Sequence, residues 1–392
     1  MIGSLEGIRV VDVTTSVAGP FATQILGDLG ADVIKVERPE VGDDTRRWGP
    51  PFWNGEGCTF TALNRNKRSL VLDLKDDTDR HTFVELMATA DVFVQNLRPG
   101  SLRKLGLGHE DMRAANPRLI YCDMSGYGME GPEAQSPAYD PLMQAFAGLM
   151  SLNGEQGRAP ARIPASILDQ GTGMWTALAV MDALRTRDNT GQGAHIHTSL
   201  LSTALMWLPS QFMGYFAEEV VPQRLGSGTV GIYPYAAFPT AGSYIIIAAG
   251  NENLWKRLCA AIDREDLTLD SRFTLNPDRV AHREELFEEL AATLRTRDSA
   301  IWLAKLTEAG VPTTPIQTID QVVKHEQVQA IGAFPTVPHP RIADFRVVNL
   351  PIQIDGAYAA VRRVPPLLGE HNEEVLRSLR ESASTGFLEE SS

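Results

Sequence analysis

Short apolar runs alternate with longer amphipathic stretches through the first part of the chain. IRVVDV (8–13), DVIKVE (32–37), SLVLDL (69–74), DVFVQN (91–96) and LIYCDMSG (119–126) each read as a strand. Their positions are apolar almost without interruption, the pattern of strands covered on both faces. Between them lie helical patterns: PFATQILGDLGA, opened by Gly19-Pro20, and TFVELMATA. Proline suits a first helical turn because its missing N–H would have no partner there. Strands alternating with helices predict an α/β fold with a parallel sheet and crossover helices.

The pattern then changes. A long helix is expected over QGTGMWTALAVMDALRTRD, stopped by Asn189-Thr190-Gly191-Gln192-Gly193, with a strand at AHIHTSL. Residues 200–225 read as helical, and their aromatic and Met content points to core or subunit interface. YAAFPTAGSYIIIAAG predicts two strands and a turn, leading into helices at NLWKRLCAAI, REELFEELAATLRT and SAIWLAKLTEAG, closed by VPTTPIQTIDQVV. The resulting division is a large domain begun by 1–200, a helical linker at 201–225, a small α+β domain at 226–330, and 331–392 returning to the large domain. The final stretch, ESASTGFLEESS, is expected to fray. No internal repeat is present.

Composition narrows the function classes. The 392 residues are 43% hydrophobic and 22% charged, with a formal net charge of −13. Such a balance disfavours a general nucleic-acid binder. An anionic ligand would need a local basic patch, and the first third offers one: Lys35, Arg38, Arg46, Arg47, Arg65, Lys67, Arg68 and Lys75, then Arg98, Arg103 and Lys104. The three cysteines, Cys58, Cys122 and Cys259, form no CxxC or Cys/His spacing, which argues against disulfides and structural zinc. MIGSLEGIRVVDV has no secretory pattern and no apolar run reaches spanning length, so a cytoplasmic location is expected.

The sequence holds no GxxxxGK[ST] loop, GxSxG elbow, HExxH or kinase set. The first strand–helix turn, TTSVAGPFA, lacks GxGxxG. Its helix N-terminus can still receive an anion, or Thr14, Thr15 or Ser16 can cap the helix; the two readings are compatible. Asp169, in ILDQGTGMW, precedes a long helix, and spacing alone favours capping over catalysis. That position would hold the carboxylate ionised, Gly171 and Gly173 would leave room for a ligand, and an ionised carboxylate can act as a nucleophile. His195 and His197 alternate on one strand and share a face. With no carboxylate or Cys at a telling interval, they read as structural, and no metal site is expected.

The run LEGIRVVDVTTSVAGPFATQILGDLGADVIKVERPEVGDDTR resembles the opening of the family III coenzyme A transferases. The likeness continues through NRNKRSLVLDLK, DVFVQNLRPGSLRKLGLG, MSGYGMEGP, AYDPLMQAFAGLMS, the Asp169 segment, RTRDNTGQG, AGVPTTPI and PPLLGEH. The resemblance implies that Asp169 is the nucleophile. It implies that Val17, Ala18, Arg38, Leu72, Lys75, Asn96, Leu97, Arg98 and Lys104 contact coenzyme A, with Tyr139 and Asp140 flanking the active site. It implies a Rossmann-like large domain, a smaller domain and an interlocked ring-like homodimer. The partners would be an acyl-CoA, a small carboxylic acid and a second copy of the chain, with neither nucleic acid nor membrane. Coenzyme A would be a substrate, and no cofactor would be needed.

Departures refine the expectation. Lys104 stands where some members carry Arg, keeping the charge without the planar fork. Val17 replaces a Gln of some formyl-CoA transferases, and LGSGTVGIYPY replaces their glycine-rich loop. Tyr139 stands where the related acyl-CoA racemases place a proton-transferring His. GDDTRRWGPPF and LGLGHEDM are most similar to succinyl-CoA:glutarate-type transferases. The expected reaction is CoA transfer from succinyl-CoA or another short dicarboxylyl-CoA through anhydride and aspartyl-CoA intermediates on Asp169. Formyl-CoA- or carnitine-type transfer and racemisation are the alternatives. A nicotinamide-dependent dehydrogenase is the rival on the same sheet type, and the missing GxGxxG counts against it.

Overall fold

The structure, a computed structural model, describes residues 3–389, with side chains as far as Glu381. Two compact units divide the chain. The first takes in the residues up to Ala147, Pro164–Pro209 and those from Ile331 onward; the second takes in Gly148–Ile163 and Ser210–Ala330.

In the first unit the elements run β1 (Arg9–Asp12), α1 (Ala18–Asp28), β2 (Asp32–Glu37), a short hairpin of β3 (Phe52–Trp53) and β4 (Glu56–Gly57), α2 (Cys58–Leu63), β5 (Lys67–Val71), α3 (Asp77–Ala88), β6 (Val92–Gln95), α4 (His109–Ala115), β7 (Ile120–Ser125) and α5 (Asp140–Phe146). After α6 (Leu149–Leu152), which belongs to the second unit, come α7 (Ile167–Thr190), β8 (His195–Ser199) and α8 (Leu200–Met206). Six strands form one sheet in the order β5-β2-β1-β6-β7-β8, every neighbouring pair parallel. The α/β reading therefore holds, and the continuous apolar strands are buried as expected. Val10, Val11, Val33, Ile34, Leu70, Val92 and Phe93 are all buried.

The order matters for function. From β1 the chain builds outward to β2 and β5, then returns to the other side of β1 to start β6. That reversal leaves a crevice at the carboxyl ends of β1 and β6, the usual ligand position in open parallel sheets. The free edge of β5 is covered by the C-terminal segment: Val71 N–H donates to Asn372 Oδ1 at 2.9 Å, and His371 N–H donates to the Ser69 carbonyl at 3.1 Å. The last helix, Asn372–Glu389, runs through most of the stretch expected to fray; residues 390–392 lie outside those described.

The expected helix after Asp169 begins earlier. Ile167 is its first residue, so Asp169 sits inside the first turn. Helix α7 packs on α1 through Gly173, where a Cβ would meet the Ala18 carbonyl oxygen at 2.7 Å and the Ala22 nitrogen at 3.1 Å. Gly171 faces Thr203 and Trp207 just as closely. Both glycines therefore serve close packing of protein on protein, and the expected room for a ligand is filled. Gly173→Ala is expected to destabilise the protein by about 1–3 kcal/mol, because a backbone atom must yield. The shift falls on the start of α1, and a melting curve of the variant beside the parent checks the loss.

In the second unit β9 (Tyr235–Pro239), β10 (Tyr244–Ala248) and β11 (Thr313–Pro315) form an antiparallel sheet ordered β11-β10-β9. Its core gathers Phe238, Ile245, Trp255, Leu290, Trp302 and Leu306. In the helical stretch past 200 Leu200, Ala204 and Leu208 are buried, but the aromatic and Met residues Met206, Trp207, Met213 and Phe216 are exposed, Phe216 by 68%. No helix among the described residues is long and apolar enough to cross a membrane.

Candidate functional site

The loop from β1 to α1 is built from its own polar groups. Buried Asp12 accepts from Thr14 N–H at 2.8 Å, Thr14 Oγ1 at 2.5 Å and Thr23 Oγ1 at 2.6 Å. Thr15 N–H donates to Asn96 Oδ1 at 3.0 Å, and Asn96 Nδ2 returns a bond to the Thr15 carbonyl at 2.8 Å. Ser16 N–H donates to Asp43. None of the three hydroxyl residues caps α1: the cap position is Val17, with no side-chain bond. With those groups spent on Asp12, Asn96 and Asp43, the first N–H groups of α1 are left facing the crevice.

Around that crevice the parallel sheet collects the residues expected to meet coenzyme A. Val17 and Ala18 follow β1, Arg38 follows β2, Leu72 and Lys75 follow β5, and Asn96, Leu97 and Arg98 follow β6. Lys104 lies in the one-turn helix Arg103–Leu105 just beyond. Four adjacent strands of one sense thus end at one rim, though the residues span much of the first hundred positions.

The basic patch is smaller than composition suggests. Lys35 is buried and pairs with Asp43 at 2.9 Å; Lys67 is buried and pairs with Asp12 at 3.1 Å. Arg46 forks onto Glu37, Arg65 onto Asp28 and Arg68 onto Asp32. Those five cations are spent within the fold, four of them on buried carboxylates and Arg68 on the half-exposed Asp32. Burial alone would raise the Asp12 pKa, but Lys35, Lys67 and the threonine hydroxyls outweigh it and hold the carboxyl well below its usual range. Arg38 and Arg103 are exposed but carry ion pairs with Asp44 and Glu110. Of the patch, Lys75, Arg98, Lys104 and Arg47 are exposed with no ion pair among the described residues; Arg47 donates to the Glu40 carbonyl at 3.1 Å, and the other three stand at the crevice rim.

Asp169 is half-buried at the start of α7, one turn before Gly173 and on the same helix face. The expectation that it caps the helix is corrected: Asp140 does so from outside. Asp140 Oδ2 accepts from Leu168 N–H at 2.8 Å and Asp169 N–H at 3.3 Å, while Gln144 Nε2 holds its other oxygen at 2.6 Å. Sequence reasoning placed Asp140 beside the site but missed this cap, because the partners are 28 residues apart. The expectation that the helix start keeps Asp169 ionised is also corrected. Burial first, and the like charge of Asp140 second, push its pKa up to about 7. Tyr139, just before Asp140, is 59% exposed. The N–H of Gly171 lies past the first turn, where helix geometry commits it to residue 167. Ala18, at the head of α1, keeps an N–H outside the helical ladder.

The other sequence-selected histidines acquire a neighbour. His195 and His197 stand beside Asp123 of β7, with His195 Nε2 at 2.6 Å from the carboxylate. The 72 residues between Asp123 and His195 hid that carboxylate from any motif search.

A parallel sheet with an anion-receptive crevice at its switch point, basic residues on the rim and a carboxylate of raised pKa at an adjoining helix start define an α/β enzyme built for an acyl-bearing anion. The comparisons agree. The family model described as CoA-transferase family III matches residues 5–372, and the chain belongs to that family. It is 37% identical over 375 residues to the succinyl-CoA:glutarate CoA-transferase of Mus musculus, covering 96% of this chain and 86% of that one. It is 38% identical over 382 residues to the succinate–glutarate CoA-transferase of Agrobacterium fabrum, covering 96% and 95%. A crystal structure of a CAIB/BAIF family protein from Brucella suis superimposes with a TM-score of 0.87 at 36% identity, covering 97% of this chain and all of that one. The protein is a CoA-transferase, moving coenzyme A between an acyl-CoA and a carboxylic acid.

Proposed function

We propose that the protein transfers coenzyme A from succinyl-CoA, or another short dicarboxylyl-CoA, to a dicarboxylic acid of glutarate type, with Asp169 as the covalent nucleophile. The observation that carries this reading is the placement of Asp169: a half-buried carboxylate of raised pKa, one helical turn from the contact with Ala18. The names of the mouse and Agrobacterium relatives support the substrate pair.

The cycle has four balanced steps. The Asp169 carboxylate attacks the donor thioester carbonyl, forming a mixed anhydride and expelling CoA thiolate. The thiolate attacks the aspartyl carbonyl, giving an aspartyl-CoA thioester and the free donor acid. The acceptor carboxylate attacks that thioester, again forming an anhydride and expelling thiolate. The thiolate takes the acceptor acyl group, and the Asp169 carboxylate is restored. Each step exchanges one activated acyl bond for another, so no step is steeply uphill. The Ala18 N–H supplies hydrogen-bond stabilisation to the developing oxyanion. Val17, Ala18, Leu72 and Leu97 line the CoA path, while Arg38, Lys75, Arg98 and Lys104 meet its phosphates and Asn96 holds the loop in place. Exposed Leu142, Phe146, Met174, Leu178 and Met181 in the first unit support self-association into the family's interlocked homodimer, since so much apolar surface is uncommon on a monomer.

A screen of acyl-CoA donors against short acids, read by mass spectrometry, tests the substrate pair. Succinyl-CoA with glutarate is expected among the fastest pairs; exchange confined to formyl-CoA or carnitine-type substrates would overturn it. The pH dependence tests the nucleophile. Because attack needs the ionised form, kcat/KM for the donor is expected to fall on the acid side of about pH 7, close to tenfold per unit well below it. Asp140→Asn removes a like charge, so the Asp169 pKa drops and the acid limb moves to lower pH. An unmoved limb would show that Asp140 does not act on Asp169.

A further inference from the structure

The transferase reading leaves one cluster unused, where the middle of β7 lies beside the first half of β8. His195 and His197 project from the same face of β8, and the parallel register sets Asp123 directly opposite His197. Three potential ligand atoms converge there. His195 Nε2 lies 2.6 Å from Asp123 Oδ2 and 2.9 Å from His197 Nε2, and His197 Nε2 lies 3.7 Å from the same carboxylate oxygen.

Hydrogen bonds satisfy this arrangement only with a compromise. A neutral imidazole nitrogen has one in-plane position, holding either a proton or a lone pair. If His195 Nε2 carries a proton aimed at Asp123, it offers His197 no lone pair and reaches a His197 lone pair only by bending that one proton between two acceptors. If it carries a lone pair for His197, that lone pair faces a carboxylate oxygen at 2.6 Å. A shared positive centre resolves the conflict.

We propose that Asp123, His195 and His197 bind one divalent cation of borderline softness, zinc foremost. Tetrahedral zinc with ligands at 2.0–2.1 Å sets ligand atoms about 3.3 Å apart, and the three observed separations bracket that spacing. The surroundings match a ligand set held in place. Asp123 is 6% exposed and its other oxygen, Oδ1, accepts from the buried Gln95 amide; the His109 ring stacks on His195 at 3.7 Å between centroids. Such outer partners fix the orientation of metal-binding carboxylates and imidazoles. Two imidazoles and one carboxylate suit zinc better than calcium or magnesium. Half-exposed His197 opens the site to solvent, and three protein ligands leave a fourth position for water. The cation would tie the edge strand β8 to β7.

The test uses the untagged full chain, stripped with chelator and titrated with zinc chloride by calorimetry, alongside thermal melts. One zinc per chain is expected, with a rise in Tm. His197→Ala, at a half-exposed position, is expected to keep the apo melting temperature, weaken zinc binding at least roughly a hundredfold and lose the Tm rise. Gln95→Leu is expected to weaken binding about 10–100-fold with all three ligands intact. Absence of saturable uptake at one zinc per chain overturns the proposal. So does uptake that His197→Ala and His195→Ala both leave unchanged.

Discussion

Replacing Asp169 with alanine is expected to lower CoA exchange by at least roughly a thousandfold, the scale seen when a covalent nucleophile is removed, without loss of the fold. The chemical half follows from the cycle: without the carboxylate there is no group to carry the acyl unit or the CoA between donor and acceptor. Mass spectrometry of the Asp169 peptide after incubation with succinyl-CoA is expected to show a CoA adduct in the parent protein and none in the variant. The structural half follows from the cap. The bonds that tie α7 to Asp140 use the backbone N–H groups of Leu168 and Asp169, which alanine retains. The stability sign is also defined. A carboxyl whose folded pKa is raised disfavours the folded state once ionised; the cost begins above the unfolded value and is complete above about pH 7. Asp169→Ala removes that cost, so its Tm is expected to equal or exceed that of the parent, most clearly above pH 7. Near-normal turnover in the variant would sink the nucleophile assignment.

Lys67→Met is the second large effect, and it falls on stability. The Lys67 ammonium is fully buried and donates to Asp12 at 3.1 Å, the Pro20 carbonyl at 2.9 Å and Asn64 Oδ1 at 2.8 Å. Removing it takes the one buried ammonium from three acceptors: Asn64 Oδ1 loses that donor, while Asp12 and the Pro20 carbonyl keep hydroxyl donors but lose the positive charge beside them. Breaking one side of a buried pair costs about 3–5 kcal/mol. In a unit of this size that corresponds to a Tm drop of roughly 6–20 °C. Asp12 also anchors Thr14 and Thr23, so the loop that presents Val17 and Ala18 loosens with it. The double variant Asp12→Leu/Lys67→Met removes both charges and is expected to recover part of the loss. A Lys67→Met protein within about 1 kcal/mol of the parent would show that the pair carries no such weight.

These variants mark where local sequence and tertiary structure divide the work. β1, β2, β6 and β7 were legible because a buried parallel strand must be apolar on both faces, a constraint written in consecutive residues. The start of α1 was legible from Gly19-Pro20, and the end of α7 from Gly191, which takes the left-handed conformation there with φ 73°. Asp169 stood out as a carboxylate at a helix start, and the family motifs singled it out as nucleophile.

Whatever depends on distant partners was not legible. Lys35, Lys67, Arg46, Arg65 and Arg68 looked like part of a phosphate-binding surface; the fold turns each onto a carboxylate, because an unpaired charge cannot stay buried. Asp169 looked like its own cap and an ionised group. Asp140 takes the cap from 29 positions away and, with burial, moves the proton affinity the opposite way. His195 and His197 had no carboxylate in view until β7 was laid beside β8. By itself the sequence determined the strand and helix alternation and the residue types at the crevice, since periodicity and backbone preference act between near neighbours. Strand order, burial and charge pairing were decided only in three dimensions, because field and desolvation at a side chain depend on what the folded chain brings beside it.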